Sequence, residues 1–479
     1  MSELKEKTAK GLLWGGFSNA LQQLLNLLFG IFLARLLTPA DYGMVGMLTI
    51  FNAIACALQE GGFIAALTNR KNATHADYNA VFWFNVGVSL SLYLLLFLSA
   101  PLIARFYSVP ALTPLARVCF LSFVISSLNI VPRAILFSRL KVKESTLATL
   151  GSLAISGLVG ITLAYYGFAY WGIAMQTLTY VSMMTLLNGW LAHWHPTLPM
   201  NFTPVRQMIG FSSKLIITNL CTILNYNLFS VLLGKFYTER EVGNFTQANK
   251  WNSMGHTFIT GMLTSVAQPV LTQVNEEPAR QLAIFRKLLR LAAFISFPAM
   301  LGLSLVAEDL IVITLTDKWM ACAHLLRLLC LWGAFVPITT LFSTLLVSRG
   351  HSSLFMWNNM IQSVVQLVVA FISYPYGLEW MMRCFVAINI GWLAIWYLFV
   401  RREINLRFGD FMRDISPYLL LSLALIFLIA WLTIEIESHI LHMACQMVSV
   451  ALLYALVLKL SGSVIFKESI DFLIHKRIH

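Results

Sequence analysis

A chain of 479 residues that is 58% hydrophobic and only 11% charged cannot cover a soluble fold with polar surface, because soluble domains carry about a quarter charged residues. A mean hydropathy of +0.75 points to a polytopic membrane protein. The formal net charge of +12 comes without an aromatic-interleaved basic patch, so no nucleic acid is expected, and the 7 cysteines are scattered without a CxxC pair, so neither a disulfide framework nor a metal site is expected.

The first ten residues, MSELKEKTAK, are basic and lead into an apolar run reaching Leu37. That run is too long for the core of a signal peptide and has no small-residue cleavage site, so it reads as the first membrane helix. A membrane helix needs roughly 20 mostly apolar residues. Runs of that kind fall at 12–36, 42–67, 80–104, 113–136, 146–167, 170–192, 211–234, 242–268, 288–313, 322–347, 353–373, 380–400, 417–433 and 440–460, about fourteen spans in all. The longest links are expected near 193–210, 269–287 and 401–416. An N-terminus in the cytoplasm leaves only Arg35, Arg105, Arg117, Lys235, Arg240, Lys318 and Arg327 on the outer side, with Lys250 and Arg383 inside spans and all other basic residues within. That asymmetry is the positive-inside pattern and supports both termini in the cytoplasm.

The stretch NLLFGIFLARLLTPADYG (Asn26 to Gly43) aligns without a gap to YNLFSVLLGKFYTEREVG (Tyr226 to Gly243). Thr38 and Gly43 match Thr238 and Gly243; Arg35 faces Lys235, and Asp41 faces Glu241. At the same offset Asn19 meets Asn219 and Asn52 meets Asn252. Further on, at an offset of 210, Arg117 faces Arg327 and Ser138–Arg139 faces Ser348–Arg349. Leucine matches mean little in this composition; the polar and glycine matches carry the repeat. The first span corresponds to the seventh and the fourth to the tenth. An even separation gives both copies one orientation, as in parallel transporter repeats.

The expected architecture is therefore an all-α polytopic membrane protein of two six-helix lobes, 1–195 and 196–405, related as parallel repeats, with two extra helices and a tail in 406–479. The repeated stretch reads as a hairpin between two spans. Arg35 and Lys235 suit the negative end of a helix and can snorkel to headgroups. Thr38 and Thr238 are N-caps, Pro39 fits the first helical position, and Asp41 and Glu241 complete capping boxes. Gly43 and Gly243 let helices approach closely.

Several stretches resemble the Wzx-type flippases, members of the polysaccharide transporter family in the multidrug/oligosaccharidyl-lipid/polysaccharide exporter superfamily. They are FLARLLTPADYGMVGM, GGFIAALTNRKNATHADYNAVFWFNVGVSL and LIARFYSVPALTPLARVCFLSFVI in the first half, with GNFTQANKWNSM and FRKLLRLAAFISFPAMLGLSLVAEDLIVITLTDKW in the second. The likeness covers roughly residues 3 to 400. It implies two lobes around a central cavity and movement of undecaprenyl-pyrophosphate-linked oligosaccharides across a bacterial inner membrane. It also implies a polysaccharide polymerase and glycosyltransferases as partners. Relatives commonly show arginine in a G-x-Y-x-R-A-x-K pattern; this chain has Gln247 there and keeps Lys250.

Lys250 lies within a span, where a charge is costly unless it faces water or a partner. It either joins a cationic cavity that holds a pyrophosphate or snorkels outward or pairs with an acid such as Glu60. Glu60, the only acid well inside a span, is a structural partner or carries a proton for coupling. Arg117 and Arg327 at the outer side and Arg139 and Arg349 at the inner side are further substrate candidates, with interfacial anchoring as the alternative. The amides of Asn26, Asn225 and Asn227 suit sugar hydroxyls or helix–helix hydrogen bonds equally, and Gln247 is the remaining candidate contact.

No Walker loop, HExxH or GxSxG is present, and no catalytic residue or cofactor is expected. A membrane-embedded glycosyltransferase, polymerase or ligase would need a sizeable outer loop with catalytic groups, and the outer loops are short. A multidrug or other small-molecule antiporter, or a lipid II-type flippase, are the competing transport readings. The topology has a direct test. Cysteines placed at Arg139, Lys141 or Lys143 should resist membrane-impermeant thiol reagents in intact cells; ready labelling there would reverse the orientation.

Overall fold

The computed structural model describes residues 21–60, 67, 73–139, 141–198, 201–206, 220, 223, 227, 229–463 and 465–468. The described residues are helical or irregular, with no strand among them. They divide into two compact units, Met1–Gly243 and Asn244–His479.

The first unit holds α1 (Leu21–Leu36), α2 (Pro39–Gly46), α3 (Thr49–Glu60), α4 (His75–Tyr107), α5 (Leu112–Ser127), α6 (Ile130–Ser138), α7 (Val142–Tyr165) and α8 (Tyr170–Ala192). Helix α9 (Glu239–Gln273) begins at the end of this unit and continues into the second. There follow α10 (Pro278–Leu305), α11 (Ala307–Leu315), α12 (Met320–Gly333), α13 (Val336–Ser348), α14 (Ser352–Ser373), α15 (Leu378–Gly391), α16 (Leu393–Ile404), α17 (Phe408–Leu432) and α18 (His439–Leu460).

Among the described residues nine helical segments are long and apolar enough to cross a membrane, and the bent pair α5–α6 makes a tenth. Helices α8 and α9 are long enough, but no stretch of either is apolar enough to join that set. Of the span expected at 12–36, residues 21–36 are described and form α1, while the span expected at 211–234 lies largely outside the described residues. Two expected links are shorter than the sequence suggests. Only four residues separate α9 from α10, and three separate α16 from α17. The helices run on past their apolar stretches with polar ends, which hydropathy alone reads as loop.

Five expected single spans, 42–67, 113–136, 288–313, 322–347 and 380–400, each contain two helices, and α5 meets α6 at 41°. Proline explains the interruptions in 113–136 and 322–347. Pro132 and Pro337 lack an N–H and their rings clash with the carbonyl four residues back, at Leu128 and Gly333, which is where α5 and α12 end. Carbonyls beside the breaks take hydrogen bonds from other helices. The Thr185 hydroxyl donates to Ile125 O at 3.1 Å, and the Ser296 hydroxyl donates to Ala334 O at 2.7 Å. Asn188 Nδ2 adds a 2.9 Å bond to Asn129 Oδ1 at the first break.

Small residues set the packing of α7 on α8. A Cβ at Gly160 would press on Gln176, and one at Gly172 would lie 3.1 Å from the Gly160 carbonyl. Ser152 and Ser156 are buried in α7 and return their hydroxyls to Ala148 O and Leu153 O. The segment after α8 is stitched to the start of α4. Asn79 exchanges two hydrogen bonds with the Thr197 backbone at 2.8 and 2.9 Å, and the Trp83 indole donates to the same carbonyl at 3.1 Å.

The repeated hairpin is built twice with nearly the same geometry. The Thr38 N–H and hydroxyl both donate to the Asp41 carboxylate, at 2.8 and 2.7 Å; Thr238 does the same to Glu241 at 2.9 and 2.8 Å. At the far end of each copy, Arg139 (φ −84, ψ 2) and Arg349 (φ −88, ψ 3) cap their helices in one conformation. The glycines also act as a pair. A Cβ on Gly43 would strike the Glu239 carbonyl oxygen, and one on Gly243 would strike the Pro39 carbonyl oxygen. Backbone meets backbone there, reciprocally, between α2 and the first turn of α9. Lys235 adds a bond from Nζ to Phe106 O at 2.6 Å and sits over the Phe106 ring, so its charge serves the carbonyl end of α4.

In the second unit α10 is central, with α12, α13, α17 and α18 around it. At one end Arg286 grips Asp414 through Nε (2.7 Å) and NH2 (3.2 Å) and reaches Asp410 at 3.0 Å. At the opposite end Asp309 is buried between His439 and His442, at 2.7 and 2.6 Å. An arginine–carboxylate ion pair at one end and carboxylate–histidine contacts at the other thus fasten the C-terminal pair α17–α18 to α10 and α11, and the Tyr454 hydroxyl donates to Phe294 O midway.

Two outcomes follow from this packing. Gly243→Ala should cost at least 1–3 kcal/mol, as overpacking does, because the obstructing atom is a carbonyl oxygen that cannot rotate away. Gly87→Ala, in open space on α4, should be neutral or stabilising by up to about 1 kcal/mol. Thermal unfolding followed by size-exclusion chromatography separates the two, and equal behaviour would discount the close approach. Asp414→Ala leaves Arg286 with Asp410 alone and should lower stability by about 1.5–3 kcal/mol, as loss of hydrogen bonds between charged groups does, seen as a lower midpoint in the same assay.

Candidate functional site

Helix α9 is 35 residues long, about 52 Å at 1.5 Å per residue, and it presents three different faces. Asn252, Ile259, Leu263, Ala267 and Leu271 are buried. Phe258 (77% exposed), Met262 and Val266 form an exposed apolar strip. Lys250, Thr257, Gly261 and Gln268 are exposed as well, and their spacing of seven, four and seven residues keeps them on one side of a 3.6-residue helix. The exposed polar strip explains why so long a helix contains no stretch apolar enough for lipid alone. Thr260 and Thr264 return their hydroxyl protons to His256 O and Thr260 O. Their oxygens can still accept a further hydrogen bond.

Lys250 stands eleven residues into α9, about 16 Å from its start. The sequence reading places it nearer the beginning, at about 12 Å, because the helix starts at Glu239 rather than at 242. The side chain is exposed. Gln247, one turn earlier, is 2% exposed, and its Oε1 is buried without a hydrogen-bond partner. A contact from Gln247 to a solvated ligand therefore does not fit its position, although three residues separate it from Lys250. The amide of Asn252 is wholly buried against Gly333 at the α12 end, where any side chain at 333 would collide with it.

The arginine pairs match in sequence but not in surroundings. Arg117 lies with its guanidinium carbon 4.4 Å from the centre of the Phe97 ring. Arg327 is exposed and forms a 2.7 Å ion pair with Glu308. Arg139 is exposed at the end of α6. Arg349 donates to Gln281 Oε1 at 3.0 Å, to Glu403 O at 2.6 Å and to the Glu403 carboxylate at 3.1 Å. Arg349 is thus a tie between α10, α13 and α16, with its Nε and NH1 engaged there. His351 shares the same Glu403 at 3.3 Å.

Of the amides, Asn26 is exposed on α1. Asn227 returns Nδ2 to Ile223 O at 2.9 Å, and Asn225 lies outside the described residues. Glu60 ends α3, and its side chain is outside the described set. The hairpin residues Arg35, Thr38, Asp41, Gly43, Lys235, Thr238, Glu241 and Gly243 belong to the helix-capping and close-packing structure described above. Two buried acids, Asp309 and Asp414, are not anticipated as intramembrane groups by the sequence reading, since each stands at the edge of an apolar run with partners more than a hundred residues away.

A family described as polysaccharide biosynthesis protein matches residues 32–324. The lipopolysaccharide biosynthesis protein WzxC of Escherichia coli is 25% identical over 355 residues, covering 73% of this chain and 71% of its own. The teichuronic acid biosynthesis protein TuaB of Bacillus subtilis is 23% identical over 373 residues, covering 75% of each. Among solved structures, the inward closed lipid II flippase MurJ superposes with a TM-score of 0.76 at 14% identity, over 97% of this chain and all of that one. An inward-facing multidrug resistance MATE transporter gives 0.66 at 18% identity, over 80% of this chain and 94% of its own. Those two likenesses establish the fold, a polytopic all-helical membrane fold, and the match across most of the sequence establishes the lineage: the chain belongs to the family of polysaccharide biosynthesis proteins.

Proposed function

We propose that the chain is a flippase for undecaprenyl-pyrophosphate-linked oligosaccharide repeat units, carrying them from the cytoplasmic to the periplasmic leaflet of a bacterial inner membrane for surface polysaccharide synthesis. The observation that carries this reading is the exposed polar strip of α9 with Lys250 upon it. A lysine at that depth is costly in hydrocarbon but suits a water-lined path for an anionic headgroup. Neighbouring hydroxyls and amides suit sugars. The relatives named for lipopolysaccharide and teichuronic acid biosynthesis support a glycan substrate. The lipid II flippase likeness extends over 97% of the chain and the multidrug transporter likeness over 80%, which favours a lipid-linked substrate over a free small molecule.

In this reading both termini are cytoplasmic. Two six-helix lobes related as parallel repeats alternate access to the path, and α17–α18 complete the second. No covalent chemistry is involved, so the protein is not an enzyme. Lys250 attracts the pyrophosphate by charge and hydrogen bonding, and Arg139 and Arg117 extend that field toward the two mouths.

Charge at position 250 then matters more than side-chain shape. Lys250→Arg should keep most export, and Lys250→Gln should lose most of it at unchanged protein level. A charge-assisted hydrogen bond is worth about 1.5–3 kcal/mol, or on the order of a tenfold to hundredfold change in affinity. The readout is surface glycan together with the lipid-linked intermediate retained inside. Normal export by Lys250→Gln would remove Lys250 from the substrate path.

A further inference from the structure

On the second unit, α14 and α16 enclose an open groove of about 540 Å³ lined by Ser353, Trp357, Asn358, Trp392, Ile395 and Phe399, among others. It is apolar along its length, and Trp357 is 58% exposed and Ile361 53% exposed at its rim. The exposed apolar stripe continues along α14 through Val364, Val368 and Phe371, so the groove opens onto a surface suited to hydrocarbon.

Two features break the apolar character, and both ask for the same kind of partner. The first is Asn358, 4% exposed and part of the groove wall. The Trp392 indole donates to its Oδ1 at 3.1 Å. An indole N–H can only donate, so the amide orientation is fixed and Nδ2 is left as a donor. Nδ2 is buried with no partner, which is costly unless an acceptor reaches it. The second feature is the mouth. Helix α14 starts at Ser352 with no side-chain cap and no acid in its first turn, leaving donor N–H groups at the positive end of its dipole. Arg402 is exposed and follows Ile395 and Phe399 at helical spacing, on the face that lines the groove. Glu403, next to Arg402 in sequence, is engaged by Arg349 and His351.

We infer that this groove binds one anionic glycerophospholipid, with its phosphate at the α14 N-terminus and Arg402, an ester carbonyl on Asn358 Nδ2, and an acyl chain along Trp357 and Ile361. The spacing suits that molecule. Five residues from Ser353 to Asn358 span about 8 Å, and an ester carbonyl lies a few bonds below the phosphate of a glycerophospholipid. A polyprenyl pyrophosphate has the phosphate and the tail but no ester carbonyl to meet the buried donor. A zwitterionic lipid would bring its own cation to Arg402 and the helix N-terminus. The site is separate from the polar strip of α9 and is a place for a bound lipid, not for the transported one.

The test uses the full-length protein in phosphatidylcholine proteoliposomes, with phosphatidylglycerol brominated on its acyl chains as quencher. The Trp357 signal is taken as the difference from Trp357→Phe. A saturable quenching component at low mole fraction of brominated phosphatidylglycerol is expected. Brominated phosphatidylcholine should quench only in proportion to its amount. Asn358→Asp keeps the acceptor for Trp392 and removes the amide donor, so it tests the donor without emptying the wall. It should weaken the saturable component by about tenfold, as loss of one hydrogen bond at a buried donor predicts, and Arg402→Gln should weaken it in the same direction. Size-exclusion profiles matching wild type establish that the variants are folded; if Asn358→Asp fails that check, Arg402→Gln at the exposed mouth decides alone. Equal quenching by the two lipids, unchanged affinity in the variants, or displacement by undecaprenyl phosphate at mole fractions where phosphatidylglycerol itself competes would each overturn the assignment.

Discussion

Hydrocarbon offers a backbone no water, and that constraint governs the rest of this molecule. Every carbonyl released within the membrane has to find a donor inside the protein. The chain nonetheless interrupts several of its spans, among them at Leu128–Asn129 and at Ala334–Phe335, each four residues or fewer before a proline. Beside those two breaks Thr185 and Ser296 approach from other helices and donate their hydroxyl protons to Ile125 O and Ala334 O.

The same economy appears at the interfaces between helices. Between α7 and α8 the contact is made by glycine and serine, which leave little side chain in the way and keep their polar atoms on their own backbone. Between α10 and the C-terminal pair it is made by acids buried against arginine or histidine. Dispersion packing serves where two backbones can touch, and charge serves where a later pair of helices has to be held at a defined register on an older surface. A buried acid without its cation would be far more disruptive than a mismatched leucine, so such pairs specify position strongly.

Much of this was readable before any coordinates. The T-x-x-D and T-x-x-E signatures gave both capping boxes, because a cap is local and its partners lie three residues apart. The pairing of Gly43 with Gly243 followed from an alignment at constant offset. The prolines at 132 and 337 were visible too, but in an apolar run a single proline is common and its effect depends on whether another helix supplies a donor. Long-range partners were not legible. Arg139 and Arg349 stand in the same local sequence, yet only the second meets Gln281 and Glu403, residues 68 and 54 positions away. Gln247 and Lys250 share a motif, and tertiary packing alone decides that one is buried and the other exposed. Helix ends extend past the apolar runs because solvated turns cost a helix nothing and hydropathy cannot register them.

The three faces of α9 have a consequence for any passenger that is half sugar and half hydrocarbon. Such a molecule has no single solvent, and each half must stay wetted by its own kind throughout the crossing. Phe258, Met262 and Val266 lie beside the strip of Lys250, Thr257 and Gln268 on one continuous helix surface, so an apolar and a polar strip share a line that runs down the rod. A headgroup can travel on one side of that seam while its tail slides along the other, still in the bilayer. Under the proposed function the helix is a zipper track between two solvents, along which neither half is stripped of its medium.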